Sequence, residues 1–158
     1  MYKTMIYNSD IGEILIRAND EALIELRFLT EAEKTDILKT ENDSSSPILK
    51  EVSVQLDEYF AGSRREFSVP LNVGGTEFME EVWNALVAIP YGQTKKYGEI
   101  AASVGRPKAA RAVGMACNRN PIALIIPCHR VVGSKGSLVG FRGGIDIKEK
   151  LLALESSK

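Results

Sequence analysis

The sequence predicts an α+β protein of two domains, with a small antiparallel sheet and helices in residues 1–72 and a mainly helical half in residues 76–158. Apolar side chains recur at every second position early in the chain, which is the period of half-buried strands, and at every third or fourth position later, which is the period of helices. A length of 158 residues suits one compact domain or two small ones. The glycine-containing residues 72–75 are the expected boundary.

Three strands are expected at the start of the chain, in residues 4–7, 14–17 and 22–28. Residues 30–46 are polar and rich in serine toward their end, which predicts a loop. Ser46 and Pro47 are an N-cap and a first helical residue typical of a helix start, and Gly62 marks the end of that helix. A last strand is expected over residues 66–71.

Four helices are expected in the second half, in residues 76–89, 97–104 and 107–117 and from the N-cap Asp146 onward. The second and third are short and are separated by a turn that contains Gly105. This arrangement is a helix-turn-helix signal, which is typical of DNA-binding proteins and also of helices that only pack together. The apolar run 122–126 is expected to be a buried strand or extended segment.

The composition excludes several classes of protein. With 44% hydrophobic and 26% charged residues, the chain can bury a core, which separates it from disordered and collagen-like chains. No apolar run approaches the roughly 20 residues that cross a bilayer, and no signal-peptide core follows Met1, so we expect a cytoplasmic protein with no membrane partner. Two cysteines and one histidine argue against a disulfide scaffold and a tetrahedral zinc site, and we expect no metal and no cofactor.

The charges are unevenly distributed along the chain. Residues 1–75 have a net charge of −6 and residues 76–158 a net charge of +5, while nine basic side chains and one acidic one lie within residues 95–142. Such a basic block suggests a polyanion partner, although it is also typical of a solvated face. The predicted helix over residues 107–117 places small residues around Arg111, which suits close approach to a neighbouring helix or to a nucleic-acid groove.

The only histidine of the chain directly follows one of its two cysteines. Cysteine attacks as a thiolate, and a free thiol has a pKa of about 8.5, so a nucleophilic Cys128 needs a base or a cation nearby. His129 is the candidate base, and Arg130 adds positive charge. The alternative is a buried structural cysteine beside a histidine that has its own partner. Cys117 has no basic neighbour in sequence and is interpreted as a packing residue.

Glu155 is a candidate third member of this site. It lies on the same face of the last predicted helix as Ile147 and Leu151, and a carboxylate on an apolar face costs free energy unless it is paired. His129 is a plausible partner, whose tautomer and charge the carboxylate would set. The alternative is a glutamate at the frayed end of a C-terminal helix.

Residues 126–131, Ile-Pro-Cys-His-Arg-Val, resemble the signature of the methylated-DNA–protein-cysteine methyltransferases, the O6-alkylguanine DNA alkyltransferases. Further matches lie in residues 89–92, 97–101, 111–114, 120–122, 143–144 and 148–155. Residues 1–75 resemble the variable N-terminal domain of that family in layout only. The resemblance implies a ribonuclease H-like layout in the first domain and a winged-helix-like helix-turn-helix in the second.

The resemblance implies a DNA repair protein that acts once, as a monomer, on double-stranded DNA with alkylated bases. Cys128 would take the methyl or other alkyl group from O6-methylguanine, with O4-methylthymine as a further candidate substrate, and keep it as a thioether. His129 would take the thiol proton through a water molecule. Glu155 would hold His129 and stabilise its charged form, and Asn120 would organise the turn that carries the nucleophile.

The resemblance also implies how DNA is bound. The damaged base would rotate out of the duplex, which costs on the order of a few kcal/mol, with Arg111 filling the vacated stack and Tyr97 crowding the phosphate and reading the base. The implied DNA-binding residues are Tyr97, Arg106, Arg111 and Ser134. The implied substrate pocket comprises Tyr97, Val131, Phe141 and Arg142, with main-chain groups at Cys128, Val131 and Arg142.

The chain departs from the family pattern at two places. A tyrosine and a small residue usually stand where this chain has Phe141 and Arg142, and this difference bears on the size of the pocket. Residues 1–75 contain no cysteine and no histidine, so the zinc site of some relatives is absent. In another branch of the family tryptophan replaces the cysteine and the protein only binds lesions, whereas Cys128 places this chain with the reactive branch.

Two other functions fit the same residues. One is a non-catalytic helix-turn-helix protein that binds DNA or lesions, for which Cys128 would be dispensable. The other is a cysteine hydrolase with a Cys-His-Glu set, which requires turnover, whereas an alkyltransferase accepts one methyl group per molecule.

Overall fold

The computed structural model describes residues 2–37, 45–136, 141 and 144–156, with the backbone alone for residues 35–37. The chain divides into two units, Met1–Val73 and Gly74–Lys158. Strands dominate the start of the first unit and helices dominate the second, so the prediction of an α+β fold is confirmed. None of the helices in the described ranges is both long and apolar enough to span a bilayer.

A three-stranded antiparallel sheet opens the first unit, in the order β1 (Lys3–Ser9), β2 (Gly12–Ala18) and β3 (Leu23–Phe28). The register places Met5 opposite Ile16 and Ile16 opposite Leu26. Ile14, Ile16 and Leu26 are fully buried, because alternate side chains of a strand point to the same face of the sheet. The three strands agree with those that alternation predicts.

A short helix, α1 (Glu31–Ile37), lies within the stretch predicted to be a loop, so that prediction is wrong there. The Thr30 hydroxyl accepts a hydrogen bond from the Glu33 N–H at 3.3 Å, and the Glu33 carboxylate accepts one from the Thr30 N–H at 3.1 Å. This reciprocal capping box satisfies two amide groups at the helix start and stabilises a helix made of polar residues. Residues 38–44 of the predicted loop lie outside the described residues.

Helix α2 (Pro47–Phe60) begins where predicted, with the Ser46 side chain accepting a hydrogen bond from the Leu49 N–H. Gly62 follows the helix with a φ of +82°, a conformation that glycine adopts at little cost. The predicted strand over residues 66–71 is wrong. Leu71 makes a single isolated bridge to Leu23, because Pro70 lacks the N–H that a continued ladder would use.

The described residues of the second unit contain four α-helices and two short strands. They are α3 (Glu77–Val87), β4 (Lys95–Lys96), α4 (Tyr97–Ser103), α5 (Ala110–Asn118), β5 (Val131–Val132) and α6 (Ile145–Ser156). The Trp83 indole N–H donates to the carbonyl of Ala116 at 2.9 Å, which anchors α3 to α5. Strands β4 and β5 pair in parallel, and this pairing brings the start of α4 close to the segment that carries Cys128.

Two helix starts and one apolar segment in this unit differ from those predicted. Helix α5 begins at Ala110 rather than Pro107, and α6 begins at Ile145, so Asp146 lies in its first turn instead of capping it. In the apolar run 122–126, Ile122 forms a single bridge and residues 123–125 form a turn, so no strand is present there. Leu124 adopts a φ of +69° there, which a leucine rarely tolerates and which an extended strand cannot contain.

Candidate active site

Cys128 lies at the start of a 3₁₀ turn, Cys128–Arg130, that leads directly into β5. The residue is 7% exposed. The turn is closed by the Arg130 N–H, which donates to the carbonyl of Pro127 at 3.0 Å, and by the Val131 N–H, which donates to the carbonyl of Cys128. The thiol is therefore carried by a hydrogen-bonded turn and not by an open loop.

Asn120 holds the preceding segment in its bent path. Its Nδ2 donates to the carbonyl of Ile126 at 2.7 Å, and its Oδ1 accepts from the Ile122 N–H at 2.9 Å. These two bonds satisfy buried backbone groups that a strand partner would otherwise have to satisfy, which explains why the apolar run turns. The Asn120 side chain also hydrogen-bonds to the Cys128 thiol group.

The environment of Cys128 acts on its ionisation in two directions. Burial raises the pKa of the Cys128 thiol above its ordinary value, because the thiolate loses its water shell. The Asn120 hydrogen bond, the charge of Lys148 and a backbone hydrogen bond each lower this pKa, and burial has the larger effect. The thiol is consequently neutral at rest, and its ionisation depends on a base that takes the proton.

His129 is placed to be that base. Its Nε2 lies 2.7 Å from Oε2 of Glu155. An ionised carboxylate can only accept, so Nε2 carries the proton and Nδ1 carries the lone pair. Nδ1 is buried and has no hydrogen-bond partner among the described residues, which leaves it available to accept a proton.

Arg130 holds the other side of the same carboxylate. Its Nε donates to Oε1 of Glu155 at 2.8 Å and its Nη2 donates to Oε2 at 3.0 Å, while Nη1 donates to the carbonyl of Ile89 at 2.8 Å. This bidentate pairing is the strong form of an arginine–carboxylate contact and keeps Glu155 ionised in a buried position. Burial is the largest influence on His129 and lowers its pKa below the ordinary value, so the imidazole is neutral near pH 7.

The buried face of α6 differs from the one that the apolar pattern indicates. Lys148, Leu151 and Glu155 are the buried residues of this helix, whereas Ile147 is half-buried. Their spacing of three and four residues is that of one helical face. The same spacing was readable in the sequence, but two of the three residues are charged.

Two family models match successive parts of the chain. Residues 1–73 match the ribonuclease-like domain, and residues 77–157 match the DNA binding domain, of 6-O-methylguanine DNA methyltransferase. The chain belongs to the 6-O-methylguanine DNA methyltransferase family. The resemblance first seen around Cys128 is thereby confirmed over both units.

Relatives in this methyltransferase family match over nearly the whole chain. The methylated-DNA–protein-cysteine methyltransferase of Methanosarcina acetivorans is 50% identical over 154 residues, which span 96% of this chain and 97% of the relative. That of Mycobacterium tuberculosis is 44% identical over 157 residues, which span 99% of this chain and 93% of the relative.

Crystal structures of family members show the same fold. The O6-methylguanine methyltransferase of Mycobacterium tuberculosis superposes with a TM-score of 0.89 at 43% identity, covering 99% of this chain and 94% of that one. A structure of the OGT of the same organism in complex with DNA superposes with a TM-score of 0.85 at 44% identity, covering 99% and 92%.

Of the residues that the family resemblance assigns to DNA binding, Tyr97 begins α4, Arg111 lies on α5, Arg106 lies between these helices and Ser134 follows β5. Arg106, Arg111 and Ser134 are exposed, and the Arg106 guanidinium lies 5.5 Å from the centre of the Phe78 ring. Tyr97 is half-buried, and burial raises its pKa to about 12, so its hydroxyl keeps its proton at neutral pH. Met115 is 56% exposed on α5. In the sequence this helix was described by its small residues, and this large apolar side chain was not singled out.

The residues assigned to the methyltransferase substrate pocket are only partly described. Val131 is fully buried and Phe141 is half-buried. Arg142 lies outside the described residues, as does Gly143. Within the described ranges, no group of three or more histidine, cysteine, aspartate or glutamate side chains is arranged to hold a metal ion.

The roles that two residues of the site have in the structure were not predicted from the sequence. Arg130 was expected only to add positive charge, yet its guanidinium forms a fork on Glu155. Lys148 was not singled out, yet it is 0% exposed and its charge acts on Cys128. For Lys148 the available signal was its helical spacing of three and seven residues from Leu151 and Glu155.

Proposed function

We propose that this protein repairs alkylated DNA by direct reversal, moving the methyl group of O6-methylguanine onto its own Cys128. The supporting observation is that Cys128 directly precedes His129, a buried imidazole whose Nε2 is held by Glu155 and whose Nδ1 has no hydrogen-bond partner among the described residues, in a chain of the 6-O-methylguanine DNA methyltransferase family. O4-methylthymine is proposed as a further substrate.

The reaction begins with the loss of the thiol proton. His129 Nδ1 makes no direct hydrogen bond to Cys128, so the proton passes through a bridging water. The imidazolium that forms is stabilised by the carboxylate of Glu155, and Arg130 keeps that carboxylate ionised. The general base His129, supported by Glu155, thus lowers the free-energy cost of forming a thiolate in a buried position.

The thiolate lone pair then forms the S–C bond as the C–O6 bond of the lesion breaks. The electron pair of the broken C–O6 bond stays with the guanine. The guanine then takes up one proton, which balances the proton that Cys128 lost. The product is a thioether, which has no good leaving group for attack by water. Each protein molecule therefore acts once, and a chain with a methylated Cys128 is spent.

Access to the lesion requires that the base leave the duplex, since the reacting atoms are otherwise stacked. The exposed face of α5 carries Arg111 and Ala112, so the helix offers one long cation beside a small side chain. We assign Arg111 to the space that the rotated base leaves, and Tyr97, whose phenol stays protonated, to contact with the base and its phosphate. Arg106 and Ser134 contact the DNA backbone, which carries no sequence information.

Mass spectrometry after reaction with duplex DNA that contains one O6-methylguanine tests this function. A gain of about 14 Da, one methylene, is expected once per molecule on the tryptic peptide 120–130, which contains Cys128. Peptide 112–119, which contains Cys117, is the internal control and should keep its mass. An unmodified protein that still binds the lesion would support the non-catalytic alternative, and repeated turnover would support a hydrolase.

The protein is further proposed to act as a monomer. The described site residues, from Tyr97 to Glu155, all belong to the unit Gly74–Lys158 of one chain. Light scattering with and without lesion DNA measures this stoichiometry, with one protein per lesion as the expected result. The cytoplasmic location stays a prediction.

A further inference from the structure

Lys148 is a lysine with no exposed surface, and the proton transfer described above does not use it. It is 0% exposed and lies on the buried face of α6. Lysine is almost never fully buried unless its charge is offset, because an ammonium group loses a large hydration energy. A cation kept in this position at such a cost has a physical effect on its neighbours.

The Tyr97 ring supports the charged form of this lysine. The Nζ atom of Lys148 lies 5.8 Å from the centre of the ring, within the range of a cation–π contact. The π face of an aromatic ring carries partial negative charge and therefore favours an ammonium over an amine. The contact joins α6 to the start of α4, because Tyr97 is the first residue of α4. Tyr97 is also the residue expected to contact the base that rotates out of the duplex.

Lys148 also interacts electrostatically with both thiols of the chain. Its charge lowers the pKa of Cys128 and of Cys117, and each thiolate in turn raises the pKa of Lys148, which burial lowers. Burial raises the pKa of Cys117 to about 12, so this thiol stays protonated at neutral pH. Cys128 is then the thiol whose ionisation the lysine influences during the reaction.

Within the described residues, the charged and titratable groups around this site come from four elements. They are Tyr97 of α4, Cys117 of α5, His129 and Arg130 of the 3₁₀ turn, and Glu155 of α6. Lys148 and Glu155 lie seven residues apart, which places them two turns apart on one face of α6. One helix thus supplies a cation for the sulfur and an anion for the imidazole.

We propose that Lys148 is a positioning residue for alkyl transfer, a buried cation that stabilises the thiolate of Cys128. The inference rests on the proposed function. The thiol proton goes to Nδ1 of His129, Lys148 keeps its three protons, and the thiolate lone pair forms the S–C bond. Proton transfer creates a negative sulfur and a positive imidazole together, and Lys148 and Glu155 each stabilise one of the two charges.

The test compares Lys148→Met with the matched control Lys150→Met, since Lys150 is exposed on the same helix. The rate at which iodoacetamide alkylates Cys128 is followed against pH without DNA, on the tryptic peptide 120–130. Removal of the cation should raise the midpoint of this profile by about one pH unit and slow the reaction at pH 7 about tenfold. Lys150→Met should match the wild-type protein.

Repair of O6-methylguanine in duplex DNA provides the second measurement. Lys148→Met should lose about tenfold in rate near pH 7 and approach the wild-type rate at higher pH, where the thiol ionises without help. A defect of packing alone would lower the rate by the same factor at every pH. Methionine removes the desolvation cost of a buried cation at similar length, so folding is expected, and Lys148→Gln is a second neutral variant.

The two hypotheses fail in different ways. An iodoacetamide profile that stays at the wild-type midpoint in both neutral variants would overturn the role of Lys148 and leave the repair function intact. A wild-type protein that takes no methyl group from DNA would overturn the repair function, while the alkylation profile would still measure the effect of Lys148 on the thiol.

Discussion

At the scale of single residues, the carboxylate of Glu155 is shared between the Arg130 guanidinium and the His129 imidazole. Arg130 contacts both oxygens, and His129 contacts Oε2 alone. Because Arg130 already balances the negative charge, the neutral imidazole is favoured before the reaction. The imidazolium formed during the reaction still has a carboxylate 2.7 Å from its Nε2.

Replacing Arg130 with Met should destabilise the protein by about 3–5 kcal/mol, because the change removes a cation that offsets a buried carboxylate. The double variant Arg130→Met, Glu155→Leu removes both charges and should recover most of this loss. Urea unfolding of Arg130→Met, of Glu155→Leu and of the double variant measures the coupling free energy between the two residues. Losses that simply add in the double variant would show that the pair is not coupled.

Stability should fall as the pH is lowered through about 6.5, because burial holds the pKa of His129 below the value of the unfolded chain. The unfolded state then takes up the proton first, and the loss continues until the pH reaches the lower pKa of the folded state. The chain has one histidine, so the effect is assigned without ambiguity. Urea unfolding at about pH 7.0 and 5.5 measures it.

The control for this pH dependence is His129→Gln, which should show little change in stability over the same interval. A wild-type protein whose free energy of unfolding is constant or rises between these two pH values would contradict the assignment of a neutral, buried imidazole.

At the scale of elements, periodicity and caps located most helices and strands, and in two of the exceptions the polarity of a segment indicated the wrong structure. The stretch before α2 reads as a loop because it is polar, but the capping box of Thr30 and Glu33 begins a helix there. The apolar run 122–126 reads as a strand, but Asn120 satisfies its backbone and bends it. In both places a side-chain-to-backbone hydrogen bond decided the conformation.

Replacing Arg111 with Ala on the exposed face of α5 should weaken repair of duplex DNA far more than reaction with free O6-methylguanine. Only the duplex requires a base to be rotated out, at a cost on the order of a few kcal/mol that a filled stack offsets. Methyl transfer rates on both substrates measure the effect, with Lys150→Ala as the exposed control. Equal losses on both substrates would contradict the insertion of Arg111.

At the scale of the whole molecule, the near-neutral net charge of −1 conceals two units of opposite sign. In the described part of residues 95–136, the basic side chains that are exposed outnumber the single acidic one. They are Lys95, Lys96, Arg106, Lys108, Arg111, Arg119 and Lys135. Binding that neutralises phosphates releases counterions, so the salt concentration should control affinity.

Affinity for undamaged duplex DNA should fall roughly 50-fold or more between 50 and 200 mM salt, which corresponds to contact with about three or more phosphates. Fluorescence anisotropy with labelled duplexes over a salt series measures the slope. Arg106→Ala should reduce the slope by about one, and Arg64→Ala, in the acidic first unit, should leave it unchanged. A slope near zero would show that the basic block does not bind DNA.

The sequence alone determined the α+β class, the helix starts at Ser46 and Thr76, and the motif around Cys128, because periodicity, caps and short motifs are local properties of the chain. It also predicted the family, since ordered motifs at these spacings are specific. It left open whether Glu155 reaches His129. Only the tertiary structure decided that contact, the guanidinium fork of Arg130 and the burial of Lys148. These depend on how α6 packs against the turn that carries Cys128, and the hydrophobic pattern of a helix does not specify which of its charged residues the packing buries.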